Sequence, residues 1–466
     1  MTNREQKPNL VFVFADQLSR NRLGFFGDAK AQTPYLDALF ARSAVMTNAC
    51  SGHPLGGPYR ACLFTGKYVS DTGMAINALR LHPRHRFIGQ ILTENGYSAE
   101  FIGKWNLYAD KLGAKGAARE SFIPPGRYRF GFDGYFAAYD YHHRYFAPEA
   151  FYHLDSPARC FPRGFEPDDQ TRLAIERLRK HKADGAPFAL FLSFGAPHGP
   201  WERSNVPADD YAAFEGVDFA PPENYAEKTD PHADAWSRLT KQERKGLPQA
   251  LRCYYALTRA VDRNVGALCA ALEETGLAEN TLFVFTSDHG ELFGAHGRCG
   301  KNIFYDEAVS VPLLLRFGSR LPTGENRTPV NTVDLMPTLL SLLGIADRGD
   351  AAGEDLSGAI ESGAFLPRCC LLTGTGPANV WGNGREWRAV RNERYTYAVY
   401  RSGTEEFLFD NALDPLQIDN LAEDRSHAEI KETLSSELRR IMLKIGDAFP
   451  PNSYYKNNMA VGRKTL

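Results

Sequence analysis

The chain of 466 residues lacks several things, and each absence narrows what it does. No stretch of about 18 consecutive apolar residues occurs, so nothing reads as a membrane-spanning helix. Basic residues are not in excess, with 54 Lys and Arg against 56 Asp and Glu, and a formal charge of -2 argues against a nucleic-acid partner. There is no C-x-x-C pair and no Cys/His ladder. Cys50, Cys62, Cys160, Cys253, Cys269, Cys299, Cys369 and Cys370 are scattered, which excludes a zinc module and reads as reduced thiols. The adjacent Cys369 and Cys370 read as strand neighbours. Repeats and low-complexity tracts are missing too. In "MTNREQKPNLVFVFAD" the apolar run Leu10 to Ala15 ends in an acid and is too short for a signal-peptide core. As written, the chain is expected in the cytoplasm, or in the periplasm or outside the cell if a leader has been removed.

What is present is ordinary for a folded protein: 43% hydrophobic and 24% charged residues. Short apolar runs alternate with helical patterns, which predicts an α/β fold with a mainly parallel central sheet sandwiched by helices. Buried strands are expected at Leu10 to Ala15, Ser98 to Ile102, Phe188 to Phe194, Leu282 to Thr286 and Val311 to Phe317. Helical spacing runs from Leu251 to Gly276 and from Thr332 to Gly344. Around residue 370 the pattern changes to a small antiparallel sheet and an amphipathic helix carrying Ile430, Leu434, Leu438, Ile441 and Ile445 on one face. The expected division is residues 1–370 for the α/β domain and 371–466 for a C-terminal subdomain. Gly199 to Leu247, rich in Pro, Asp, Tyr and Trp, reads as long surface loops of the kind that shape a pocket.

Ligands of open α/β sheets bind at the carboxyl ends of strands. The first run ends in Asp16-Gln17 and that at 282–286 in Asp288-His289, together a set suited to one divalent cation. In "SGHPLGGPYRACLFTGKY", Pro58 fits the first turn of a helix. Residue 56 then lies at the helix N-terminus, with Arg60 one turn on along the same face, an arrangement that favours a bound anion. Cys62 is rotated off that face and reads as core. Lys104, His198 and Lys301 each come after an expected strand; singly each has an ordinary structural reading, jointly they describe a pocket for a tetrahedral oxyanion and a protonated leaving oxygen. The segment "GYFAAYDYHHRYFAPEAFYH" offers aromatic faces for a sugar, with His142, His143 and Arg144 for an anion, or else it is core.

In order along the chain, "NLVFVFADQ", "GPYRACLFTGKY", "FIGKWNL", "FGAPHGPW", "TLFVFTSDHGE", "KNIFYDEAVSVPLLLR" and "LFDNALDPLQIDNLAED" resemble the type I, formylglycine-dependent sulfatases of the alkaline-phosphatase-like superfamily, nearly end to end. The resemblance implies a hydrolase of sulfate monoesters acting on a small-molecule or carbohydrate sulfate, with a formylglycine maturation enzyme as partner. It implies a formylglycine at position 56 whose hydrate attacks sulfur, and one metal, Ca2+ first with Mn2+ or Mg2+ as the other assignments, held by Asp16, Gln17, Asp288, His289 and residue 56. Arg60 would orient the diol, Lys104 and Lys301 would bind sulfate oxygens, and His198 would assist the leaving group.

Two departures stand out. Asn106 occupies a position where the family most often has histidine, and asparagine carries no proton near neutral pH. Position 56 is Gly56, where the family signature starts with Cys or Ser. Three readings of it stand: a formylglycine written as glycine, a substitution that traps substrate, or a sulfatase-like binding protein. The Asp-Gln and Asp-His pairs also occur in choline-sulfatase-like members and in phosphonate monoester and phosphodiester hydrolases, so phosphorus esters are the alternative substrates.

Overall fold

The computed structural model describes residues 7–77, 79–109, 121–377, 380–403 and 405–459. The first six residues, part of the segment on which the reading of the N-terminus rests, lie outside these. The strands are β1 (Asn9–Asp16), β2 (Ala44–Met46), β3 (Ala49–Cys50), β4 (Ser98–Lys104), β5 (Phe136–Tyr139), β6 (Phe188–Pro197), β7 (Thr281–Ser287), β8 (Leu313–Arg316), β9 (Gly324–Asn326), β10 (Val330–Asn331), β11 (Cys370–Thr375), β12 (Glu386–Arg391), β13 (Tyr395–Tyr400) and β14 (Glu406–Asp410).

Eight of them form the central sheet in the order β5-β4-β6-β1-β7-β8-β2-β9. The block from β5 to β7 is parallel throughout, and β1 at its middle is buried along its whole length. Side chains alternate between two large apolar clusters on opposite faces: Leu10, Phe12 and Phe14 on one, Val11, Val13 and Ala15 on the other. This is why these strands read as continuous hydrophobic runs. All five expected central strands are present, but β8, within the expected Val311 to Phe317, runs antiparallel to β7 and β2. An apolar run carries no record of its direction.

The helix expected from Leu251 starts earlier, at Lys241, and runs to Glu274. Thr240 and Glu243 close a capping box there, and Pro248 lies inside the helix, so the segment expected as loop up to Leu247 is partly helical. The helix expected from Thr332 runs to Leu342. Downstream, β11 to β14 form an antiparallel sheet against which Leu434, Leu438 and Ile441 of the helix Ala428–Lys444 are buried. All eight cysteines are free. No helix among the described residues is long and apolar enough to cross a membrane.

Candidate active site

The register Ala15↔Ser287 between β1 and β7 places Asp16 and Asp288 side by side where the two strands end. Gln17 turns into the left-handed region (φ 69°), and its N–H donates to Asp288 Oδ1 at 2.8 Å. Beyond Asp288 the chain passes so close to Glu307 that a Cβ at Gly290 would lie 2.0 Å from its carbonyl oxygen, so only glycine fits. This turn brings His289 Nε2 to 3.9 Å from Asp16 Oδ1 and 3.6 Å from Asp288 Oδ1. His289 Nδ1 lies 3.1 Å from the Gly290 carbonyl; donation there leaves Nε2 with its lone pair.

On the other flank, Lys104 ends β4, where Gly103 (φ 108°) lets the chain approach the Ser193 carbonyl too closely for any side chain. Lys104 Nζ donates to Asp16 Oδ2. The helix Gly56–Thr65 starts at residue 56, as its proline implies, and sends Arg60 beneath the site. Arg60 Nη2 lies 3.5 Å from Asp16 Oδ2 and 3.7 Å from Asp288 Oδ2, Nη1 donates to Ser193 Oγ at 2.7 Å, and the guanidinium sits 4.7 Å from the Phe14 ring centroid. At the mouth, Lys301 Nζ donates to Gln17 Oε1 at 3.1 Å and approaches His198 Nε2 at 3.0 Å. His198 Nδ1 lies 2.7 Å from the Gly199 carbonyl and the ring stacks on His143 at 4.1 Å.

These groups surround a cleft of about 260 Å³. Asp16, Gly56, Lys104, Asn106, His198, His289 and Lys301 line it, while Gln17, Arg60 and Asp288 support it from below or beside. All ten candidate residues thus converge. Cys62 does not; it is buried with Tyr68 and Val69, and burial pushes its thiol up. His142 faces inward, stacked on Tyr139 at 3.6 Å, and Arg144 pairs with Glu202 at 2.7 Å, so of the His-rich segment His143 and Tyr141 reach the cleft. Phe136, Tyr139, Tyr145 and Phe151 are core.

Sequence reasoning missed Asn77, whose Oδ1 accepts from Gly57 N–H at 3.0 Å, and Ser193 under Arg60. It also passed over Glu291, which accepts from Gln17 Nε2 and, at 2.6 Å, from Gly300 N–H, tying the Asp288 turn to the Lys301 loop. Glu291 lay in plain sight in "SDHGE", close in sequence to Asp288; Asn77 left no signal.

The electrostatics suit a cation. Burial works against a charge on Asp16, but Lys104 and the other positive groups around it hold its carboxyl well below the usual range. Burial and the Asp16 charge push Asp288 up, to about 7. Burial, then Lys301, holds His289 and His198 well below the ordinary imidazole range, so both are neutral, the form in which imidazole ligates metal. Burial also lowers Lys301. Asp16 Oδ1, Asp288 Oδ2 and His289 Nε2 are buried without a hydrogen-bond partner, and ligand atoms of these three residues lie within 4.8 Å of one another. Three buried residues, each with an unpartnered acceptor and with ligand atoms this close together, fit a divalent cation.

Position 56 passes a second test. A Cβ there would lie 3.5 Å from Asp288 Oδ2, 3.9 Å from Asp16 Oδ2 and 2.9 Å from Asn106 Nδ2. The space accepts a side chain directed at the carboxylates, with Asn106, itself left-handed at φ 55°, giving way slightly.

The family model for sulfatases matches residues 8–345, and that for the C-terminal part of N-sulphoglucosamine sulphohydrolase matches residues 294–444. An ulvan-active sulfatase of Formosa agariphila is 32% identical over 98% of this chain and 86% of its own length. An N-acetylglucosamine-6-O-sulfatase of Bacteroides thetaiotaomicron is 24% identical over 78% of this chain and 72% of its own. The crystal structure of YidJ from Bacteroides fragilis superposes with a TM-score of 0.83 at 27% identity, covering 98% of this chain and 99% of that one. The chain therefore belongs to the sulfatase family, hydrolases of sulfate esters on an alkaline-phosphatase-like fold.

Proposed function

We propose that the protein hydrolyses a carbohydrate sulfate monoester, with a formylglycine at position 56 and a divalent cation, calcium first and manganese or magnesium after it, held by Asp16, Gln17, Asp288 and His289. The observation that carries this reading is the direction of the Cβ at 56, toward the two carboxylates and the Asn106 amide. When bound, the cation supplies Lewis-acid polarisation and the hydrated aldehyde supplies the attacking oxygen. Glycine has no Cβ to oxidise, so this chemistry requires Cys or Ser as the precursor at 56 and a maturation enzyme. The relatives' carbohydrate substrates support the substrate class.

The chain's own residues do the rest. Arg60, fully buried, fixes both carboxylates and orients the group at 56. Lys104 and Lys301, which line the cleft, hold sulfate oxygens there. His198, anchored through Nδ1, faces the Lys301 ammonium through Nε2, so this pair holds the proton for the leaving oxygen. Asn106 offers an N–H donor to residue 56 and no titrating proton.

Read literally, Gly56 favours a second function: a protein that retains cation and anion groups, binds sulfate esters and turns nothing over. One experiment separates the two. Gly56→Cys co-expressed with a formylglycine-generating enzyme and loaded with calcium is assayed for sulfate release from an aryl sulfate, a phosphonate monoester and a phosphodiester. Turnover with sulfate favoured is expected. Preference for phosphorus by orders of magnitude, or no turnover with aldehyde and metal both verified, overturns the proposal.

A further inference from the structure

The cleft does not end at His198. Beyond it lies a second chamber of about 550 Å³, which shares His198, Trp236, Gly300 and Lys301 with the first. Its volume is in the range of ligand pockets, roughly 300–1,000 Å³. Its character differs from that of the cleft. Trp201, Trp236, Leu239, Leu247 and Phe293 make the walls apolar. Trp201 is held in place: its indole N–H donates to the Pro197 carbonyl at 2.9 Å and its ring packs on Phe293 at 4.7 Å. Trp236, at the boundary between the two spaces, leaves 49% of its surface open.

The charged groups differ too. Glu202, Glu243 and Glu291 are lining residues, as is the shared Lys301. Glu202 is paired with Arg144 at 2.7 Å, and Glu291 is buried and accepts from Gln17 and Gly300, which leaves Glu243 as the acid that faces a ligand. Rigid aromatic faces beside hydrogen-bond acceptors, with Gln242 adding donors, suit a pyranose: apolar C–H face on indole, hydroxyls on carboxylate and amide. The Glu243 carboxylate repels a second anion.

Resting on the reading of the first cleft as a sulfate-ester site, we propose that this chamber is a subsite for the uncharged sugar joined to the sulfated ring, so that the protein prefers an oligosaccharide in which a monosulfated residue adjoins a neutral one. Trp236 carries the link between the two rings, and Glu243 sets the discrimination against a uronate or a second sulfate.

The test is calorimetry on the full calcium-loaded chain with glycine at position 56, which has no side chain to attack a ligand. A panel of hexopyranosides monosulfated at each hydroxyl identifies the ring the first cleft takes. That ring is then offered linked to neutral galactose, to glucuronate, or to a 4-nitrophenyl group. The neutral disaccharide is expected to bind about tenfold more tightly than the monosaccharide, the size of one good aromatic contact. Trp236→Ala should bring that ratio toward one. Glu243→Gln, which keeps the capping box, should raise the affinity for the uronate disaccharide. Equal binding of mono- and disaccharide, a ratio untouched by Trp236→Ala, or a gain confined to the aryl glycoside overturns the subsite while leaving the sulfate cleft standing. Failure of every sulfated monosaccharide to bind overturns the cleft itself, and the subsite with it.

Discussion

The floor of the cleft is made of strand ends and the first helical turns at Gly56–Thr65, whereas its outer rim, with Asp234, Trp236 and Ser237, comes from the stretch between β6 and the helix Lys241–Glu274. On the floor, Asp16, Arg60, Asp288 and His289 are at most 1% exposed and each is fixed by at least one neighbour. On the rim Trp236 is half open, and its backbone N–H donates to Asp234 Oδ1 at 2.9 Å. The floor therefore couples chemistry to stability, because a change there strands a buried charge. The rim couples to the shape of the ligand alone, which is where proteins of one chemistry diverge in substrate.

The sharpest break of that contrast is at Asp288. Asp288→Asn keeps the acceptor for Gln17 N–H but halves the anionic charge facing the cation. Calcium binding should vanish in calorimetry, and in protein matured at position 56 turnover should fall on the order of 10³-fold. Retained calcium affinity would remove Asp288 from the cation set. Next in size, Arg60→Ala leaves Asp16 and Asp288 facing each other without their shared cation, and urea unfolding should show a loss of about 3–5 kcal/mol. Trp236→Ala, on the rim, should shift the same unfolding curve by no more than about 0.5 kcal/mol. Comparable losses at the two sites would erase the distinction between floor and rim.

A smaller effect sharpens the comparison behind the floor. Burial pushes the Glu166 carboxyl up to about 8 from an ordinary 4.5, while Tyr139 Oη and Gln170 Nε2 donate to it at 2.9 and 3.0 Å. The native state holds this proton across a range in which the unfolded chain has released it. The contribution of this group to stability is therefore fully present below about pH 4.5 and is lost as pH rises through about 8. Glu166→Gln should flatten that decline, read as urea midpoints at about pH 5.5, 7 and 8.5; an unchanged slope would show that another group carries it.

The same contrast governs what could be read from sequence. Asp16, Gln17, Asp288, His289 and Lys104 each stand at the end of an expected strand, and a parallel sheet brings the ends of such strands together, so their convergence was legible. Arg60 followed from helical spacing after Pro58. Strand direction was not legible, since Leu313–Arg316 has the composition of its parallel neighbours. Pro248 hid the first turns of a helix that its capping box starts at Lys241. The aromatic run around Tyr139 read either as a sugar platform or as core; Phe136–Tyr139 is a buried strand of the central sheet, Tyr141 and His143 reach the cleft, and an open indole is Trp236, in a segment without periodicity. Tryptophan in a loop has no pattern to betray which way it faces.

Everything proposed for the floor turns on the side chain at residue 56. Tandem mass spectrometry of the tryptic peptide from Ser43 to Arg60 reads that residue directly in the protein purified from its own source. An aldehyde or its hydrate at position 56 is the predicted result. A glycine there would contradict hydrolysis by this chain and leave a site that binds a sulfate ester without cleaving it.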